Sequence, residues 1–199
     1  MSIKPGLEII LGCMYASKTT ELLARLFKVS AVKGKALYIN HKLDVRNKDD
    51  AFSSHNPQLK NKLSSDDVVM VQTDDLANID SKLIDEANII GVDEAHFFKS
   101  LTAVIDWVDN KHKTVVVASL DGDSNRKPFG DIYSLMPYAD KVQKLDAYCV
   151  NCSQQKNKTF ESAIFTYKTS ASKEVIDVGA LDKYISVCRS CYLQLKQKE

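Results

Sequence analysis

The hydrophobic and polar positions of this chain follow two regimes. Up to about residue 145, short apolar runs alternate with longer stretches of helical period. Residues 7–11, 36–40, 68–72, 88–92 and 114–119 predict strands, and several are nearly continuous, as in Val115-Val116-Val117-Ala118. Such runs suit a parallel sheet covered on both faces. Residues 18–32, with Gly34 placed to stop them, 76–86 and 101–110 predict helices. The alternation implies a doubly wound α/β core, in which ligands bind outside the carboxyl ends of the strands. Residues 41–67 are polar, with little apolar periodicity, and predict a long loop near those ends or a solvated surface excursion. From Asp146 onward, short strand-like runs and turn residues replace the long units, so the chain divides at 1–145 and 146–199.

The first apolar run leads into Gly12-Cys13-Met14-Tyr15-Ala16-Ser17-Lys18-Thr19 and then a helical pattern. Strand, loop and helix in that order are the setting of a phosphate-binding loop, G-x-x-x-x-G-K-[ST]. Gly12, Lys18 and Thr19 fit it, and Ser17 stands where the second glycine belongs. Backbone N–H groups at the helix start would face an anion, Lys18 would neutralise β/γ-phosphates, and Thr19 would offer its hydroxyl to Mg²⁺. If position 17 needs a positive φ, its side chain costs on the order of 1–2 kcal/mol. An ordinary helix start with an exposed lysine is the bland alternative.

The run ending in Val92-Asp93-Glu94-Ala95-His96-Phe97-Phe98 carries the second chemical feature. An apolar strand ending in aspartate fits a carboxylate that holds Mg²⁺ directly or through water. Adjacent strand side chains point to opposite faces, so Asp93 and Glu94 take different roles. Asp93 would serve the metal, and Glu94 would take a proton from an attacking hydroxyl. Asp-Glu-Ala-His also spells a helicase box, but the chain is too short for two motor domains and has no basic stripe for a nucleic-acid track.

Charge and length narrow the picture. The 199 residues carry 27 basic and 26 acidic side chains, a net charge of +1, which gives no reason to expect a nucleic-acid or membrane surface. No run approaches the ~18 apolar residues of a membrane span, and the N-terminus lacks a signal-peptide core, so a cytoplasmic location is expected. In that compartment paired cysteines are more plausible metal ligands than disulfides. Cys149-x-x-Cys152 and Cys188-x-x-Cys191 form two such pairs, 35 residues apart. Four thiolates close a tetrahedron around zinc with no open position, which makes the expected site structural. Redox thiols or a coincidental spacing are the alternatives. Cys13, the fifth cysteine, lies near a helix start that could lower its pKa.

Together these segments resemble the thymidine kinases of the cytosolic, zinc-containing type, over about residues 7–192. The resemblance rests on the phosphate loop, the Val92–Phe98 segment, Leu120-Asp121-Gly122 with Arg126-Lys127-Pro128-Phe129-Gly130, the four cysteines, and Asp182-Lys183-Tyr184. It implies a P-loop NTPase-like sheet domain with a small zinc domain, a homotetramer, and transfer of the γ-phosphate of ATP, with Mg²⁺, to the 5′-hydroxyl of thymidine or deoxyuridine in nucleotide salvage. By resemblance, Glu94 is the general base. Gly12, Met14, Tyr15, Ala16, Ser17, Lys18, Thr19, Asp44, Arg46, Asp93 and His96 form the ATP and phosphate site. Met14, Phe97, Leu120, Ser124 and Phe129 surround the pyrimidine deoxynucleoside, and a covering loop contributes Thr166, Val175, Asp177, Gly179 and Tyr184. Thr19 and Asp93 would hold magnesium. The chain departs from the family at Cys13 and Ser17, at Ser124 (where an aromatic is usual), at Asp177 and Ala180, and at His96 (where some members have glutamine).

Overall fold

The computed structural model describes residues 4–44, 68–155, 159–169 and 183–197. Six strands, β1 (Gly6–Gly12), β2 (Ala36–His41), β3 (Val68–Thr73), β4 (Ile89–Val92), β5 (Thr114–Leu120) and β6 (Lys141–Leu145), form one sheet in the order β3-β2-β4-β5-β1-β6. Every pairing is parallel. The five strands read from apolar runs are all present, so the expected α/β core stands. β6 was not anticipated. It lies at the sheet edge and is largely exposed, with lysines at positions Lys141 and Lys144, so its sequence has no apolar run to announce it.

Period-2 alternation splits the sheet residues between two cores. Leu7, Ile9 and Leu11 face one side with Val115, Val117 and Trp107, while Ile10 faces the other with Tyr38, Val116 and Ala118. Helix α1 (Lys18–Ser30) covers that second face through Leu22, Leu23 and Leu26, all fully buried. Each contributes about 1.5–3 kcal/mol relative to exposure. Gly91 of β4 lets α1 approach closely, since a Cβ there would meet Leu22 at 2.8 Å. The turn after α1 closes with the Gly34 N–H donating to the Val29 carbonyl at 3.0 Å.

Residues 76–86 do not form one helix. A 3₁₀ turn (Leu76–Asn78) and helix α2 (Ser81–Glu86) are separated by extended Ile79. Two aspartates cause the break: Asp75 accepts from the Ala77 N–H and Asp80 from the Lys82 N–H, so each starts its own turn. Helix α3 (Thr102–Asp109) packs Val104 and Trp107 onto the first face.

Beyond β6, two antiparallel pairs follow. β7 (Ala147–Tyr148) pairs with β8 (Ser162–Ala163), and β9 (Phe165–Lys168) pairs with β10 (Tyr184–Val187). Short helix α4 (Val150–Ser153) and helix α5 (Arg189–Lys196) flank them. Cys149, Cys152, Cys191, Ala163, Tyr167, Val187 and Tyr192 form a third, separate core.

Candidate functional site

β1, β4 and β5 are neighbours in parallel, so their carboxyl ends bring three loops together: Cys13–Ser17, Asp93–Phe97 and Asp121–Gly130. Gly12 pairs with Leu120. A Cβ on Gly12 would meet the Leu145 carbonyl oxygen at 2.7 Å, so only glycine fits where the chain leaves β1 beside β6.

The phosphate-loop segment turns through two left-handed residues, Tyr15 at φ 65° and Ser17 at φ 59°. Position 17 thus has the backbone conformation that favours glycine, and Ser17 occupies it without a side-chain cap bond. Lys18 is buried, with Nζ donating to the Cys13 carbonyl across the loop at 2.8 Å. Thr19 lies half-buried in the first turn of α1. Burial raises the Cys13 thiol pKa in spite of nearby Lys18, which overturns the expectation of a lowered value, and the thiol donates to the Ala163 carbonyl. Met14 N–H donates to Thr166 Oγ1 at 3.0 Å, tying the loop to β9.

Asp93 is 1% exposed at the end of β4. Its Oδ2 accepts from the Tyr38 hydroxyl at 2.8 Å and its Oδ1 from the Glu94 N–H at 3.0 Å. Burial pushes the Tyr38 phenol pKa well up, and the Asp93, Asp44 and Glu94 charges add to it. Tyr38 therefore stays a neutral donor, a contact that the sequence alone did not suggest. Asp44 is buried and accepts from Asn40 Nδ2 at 3.0 Å. Glu94 has φ 50° and opens the 3₁₀ turn Ala95–Phe97. His96 Nε2 lies 3.3 Å from Glu94 Oε2, so His96 sits beside the carboxylate.

Phe97 and Phe129 meet edge to face at 6.1 Å, with the His96 ring next to both. Leu120 is half-buried, with its N–H directed at His96. In the loop after β5, Asp123 Oδ1 accepts from the N–H groups of Asn125 and Lys127, both at 2.8 Å. Nothing in the sequence marked Asp123 as the organiser of that loop. Ser124 presents its carbonyl to Tyr192. Tyr184 lines a cleft of about 420 Å³ with Tyr15, Tyr148, Val150 and Ile185. Arg46, Val175, Asp177 and Gly179 lie outside the described residues.

The four paired cysteines converge. Their sulfurs all lie within 4.8 Å of one another, and Cys152 is 3.8 Å from Cys188 and 3.6 Å from Cys191. A tetrahedron with Zn–S bonds of about 2.3 Å has edges of about 3.8 Å, so the donor set fits zinc. All four are free of disulfides.

A thymidine kinase family model matches residues 6–192. A thymidine kinase of Choristoneura fumiferana entomopoxvirus is 37% identical over 189 residues, covering 94% of this chain and 96% of that protein. The thymidine kinase of fowlpox virus is 34% identical over 191 residues, 94% of this chain and 96% of its own length. The cytosolic thymidine kinase of Homo sapiens is 35% identical over 188 residues, 94% of this chain and 73% of that protein.

Proposed function

This chain belongs to the thymidine kinase family and is a kinase, and from that premise we propose that it transfers the γ-phosphate of ATP to the 5′-hydroxyl of thymidine or deoxyuridine, in nucleotide salvage. The observation that carries the reading is the meeting of the Lys18 loop, the Asp93-Glu94 strand end and the Leu120–Phe129 segment at one edge of a parallel sheet. Phosphoryl transfer needs such positioning more than covalent chemistry.

In this reading the loop from Gly12 to Ser17 wraps the phosphates with backbone N–H groups, and Lys18 neutralises their charge. Asp44 and Arg46 serve the same end. Thr19 and Asp93 are the residues that would hold Mg²⁺, and the donors already on both Asp93 oxygens fit contact through the metal's water. Mg²⁺, when bound, would offset charge on the bridging phosphate oxygens. Glu94 takes the proton of the 5′-hydroxyl as the new O–P bond forms and the bond from the γ-phosphorus to the β,γ-bridging oxygen breaks, with ADP leaving. Met14, Phe97, Leu120 and Phe129 supply the apolar wall for the base, with Ser124 at its rim. Thr166 and Tyr184 stand on the paired strands β9 and β10 rather than in the covering loop expected from the sequence; that loop, with Val175, Asp177 and Gly179, excludes water that competes as phosphate acceptor.

Residues 1–145 form the nucleotide-binding domain, and 146–199 form a domain stapled by Cys149, Cys152, Cys188 and Cys191 around structural zinc. No helix among the described residues is long and apolar enough to cross a membrane. We place the protein in the cytoplasm as a homotetramer, without a nucleic-acid partner.

Glu94→Gln tests the assignment. Turnover should fall about 10²–10⁴-fold while ATP and thymidine still bind. Equal loss of binding would make Glu94 structural.

A further inference from the structure

His96 connects the end of β5 to Glu94. The Leu120 N–H, at the end of β5, lies 3.3 Å from His96 Nδ1. A backbone amide only donates, so Nδ1 accepts, and the neutral ring carries its proton on Nε2. Nε2 lies 3.3 Å from Glu94 Oε2. The ring thus receives one hydrogen bond from the backbone of β5 and places Nε2 3.3 Å from the carboxylate at the neighbouring strand end.

The ring is held on its other sides as well. It is 1% exposed. Its centroid is 4.2 Å from that of Phe97 and 4.7 Å from that of Phe129. The backbone of Gly130 presses against that of His96, where a Cβ would meet the His96 carbonyl oxygen at 2.3 Å. Glu94 itself sits on a left-handed residue and makes no cap bond to its own turn. A carboxylate on such a turn depends on neighbouring donors for its orientation.

We propose that His96 is a positioning residue for phosphoryl transfer, holding the Glu94 carboxylate through Nε2–H so that it faces the acceptor hydroxyl. The inference rests on Glu94 as the base. The resemblance groups His96 with the ATP and phosphate site, but its contacts to Glu94, Phe97, Phe129 and the Leu120 N–H assign it to orienting Glu94, so its loss lowers the fraction of bound complexes in reactive geometry. That loss falls on kcat and leaves KM for both substrates nearly unchanged. Glutamine preserves the arrangement, because its amide oxygen accepts from Leu120 N–H and its amide nitrogen donates to Glu94. Phenylalanine fills the same space between Phe97 and Phe129 and preserves neither contact.

The test is steady-state kinetics with ATP-Mg²⁺ and thymidine on His96→Phe, His96→Gln, Glu94→Gln and the double variant His96→Phe/Glu94→Gln. His96→Phe should lower kcat about 10–100-fold with KM values within about 2-fold of wild type. His96→Gln should recover kcat to within about 3-fold of wild type. In the Glu94→Gln background, His96→Phe should cost nothing further. Wild-type kcat in His96→Phe, equal impairment of His96→Gln, or a further loss in the double variant overturns the proposal. Glu94→Gln at wild-type turnover removes the base assignment itself, which separates the two failures. If the phenylalanine variant does not fold, His96→Met, which also lacks the N–H donor, takes its place under the same criteria.

Discussion

The Tyr192 hydroxyl donates to the Ser124 carbonyl at 2.8 Å, linking the residue after Cys191 to the loop beyond β5. The Arg126 guanidinium, on the same loop, lies 4.6 Å from the Tyr192 ring centroid and 5.3 Å from that of Phe165. The cysteine core and the loop beyond β5 therefore share a joint. Removing metal by chelation, or making Cys188→Ser, should release Tyr192 and lower turnover. Trp107, the chain's single tryptophan, is buried in the sheet's own core, so its emission should stay unchanged. Metal content measured beside activity and fluorescence checks this, and a metal-free protein with full activity contradicts it.

Ser17 bears a side chain at φ 59° and gains no cap bond from it. Ser17→Gly should stabilise the fold by about 1 kcal/mol, a Tm rise of roughly 2–4 °C for a chain of this size. Thermal unfolding measures it. A fall in Tm would mean that the freedom glycine adds to the unfolded chain exceeds the relief of strain.

Glu8 anchors a buried-edge ion pair. Its Oε1 accepts from Arg25 at 2.8 Å and from Lys141 at 2.9 Å, joining α1, β1 and the edge strand β6. The Arg25 hydrogen bond, ahead of the opposing effect of burial, holds the Glu8 pKa below its ordinary value. A lowered folded-state pKa means that the ion pair stabilises above the unfolded carboxylate pKa of about 4.3 and is lost as pH falls through the folded value. Glu8→Gln should cost about 0.5–1.5 kcal/mol at pH 7, and the gap from wild type should close below about pH 4. Urea unfolding at both pH values checks the sign.

Gly130 has φ 66° and no room for a Cβ against the His96 backbone. Gly130→Ala should destabilise by roughly 2–4 kcal/mol and lower kcat through the displaced His96 ring. Unfolding and turnover measured on one preparation report both effects. A loss of stability with unchanged kcat would separate the loop from the site.

Much of this was legible in the sequence, for reasons that differ by residue. Continuous runs such as Val115–Ala118 announce buried parallel strands, and two C-x-x-C pairs announce four converging sulfurs. β6 was not legible, because an edge strand written Lys-Val-Gln-Lys-Leu carries no buried face to pattern it. The break at Ile79 was hidden because two aspartate caps competed with a helical period. Glycine's absence at position 17 read as a departure from the loop motif, yet the backbone adopts the glycine-like conformation anyway. The Tyr38–Asp93 and Thr166–Met14 contacts join residues far apart in the chain, and neither type nor spacing could reveal them.

The most direct test of the account is transfer from γ-labelled ATP-Mg²⁺ to thymidine, deoxyuridine and deoxycytidine, beside a control without nucleoside. The account predicts labelled monophosphate from thymidine or deoxyuridine and little release of phosphate in the control. Equal ATP turnover with and without nucleoside, from folded protein with its metal in place, would contradict it and leave a phosphate-loop ATPase.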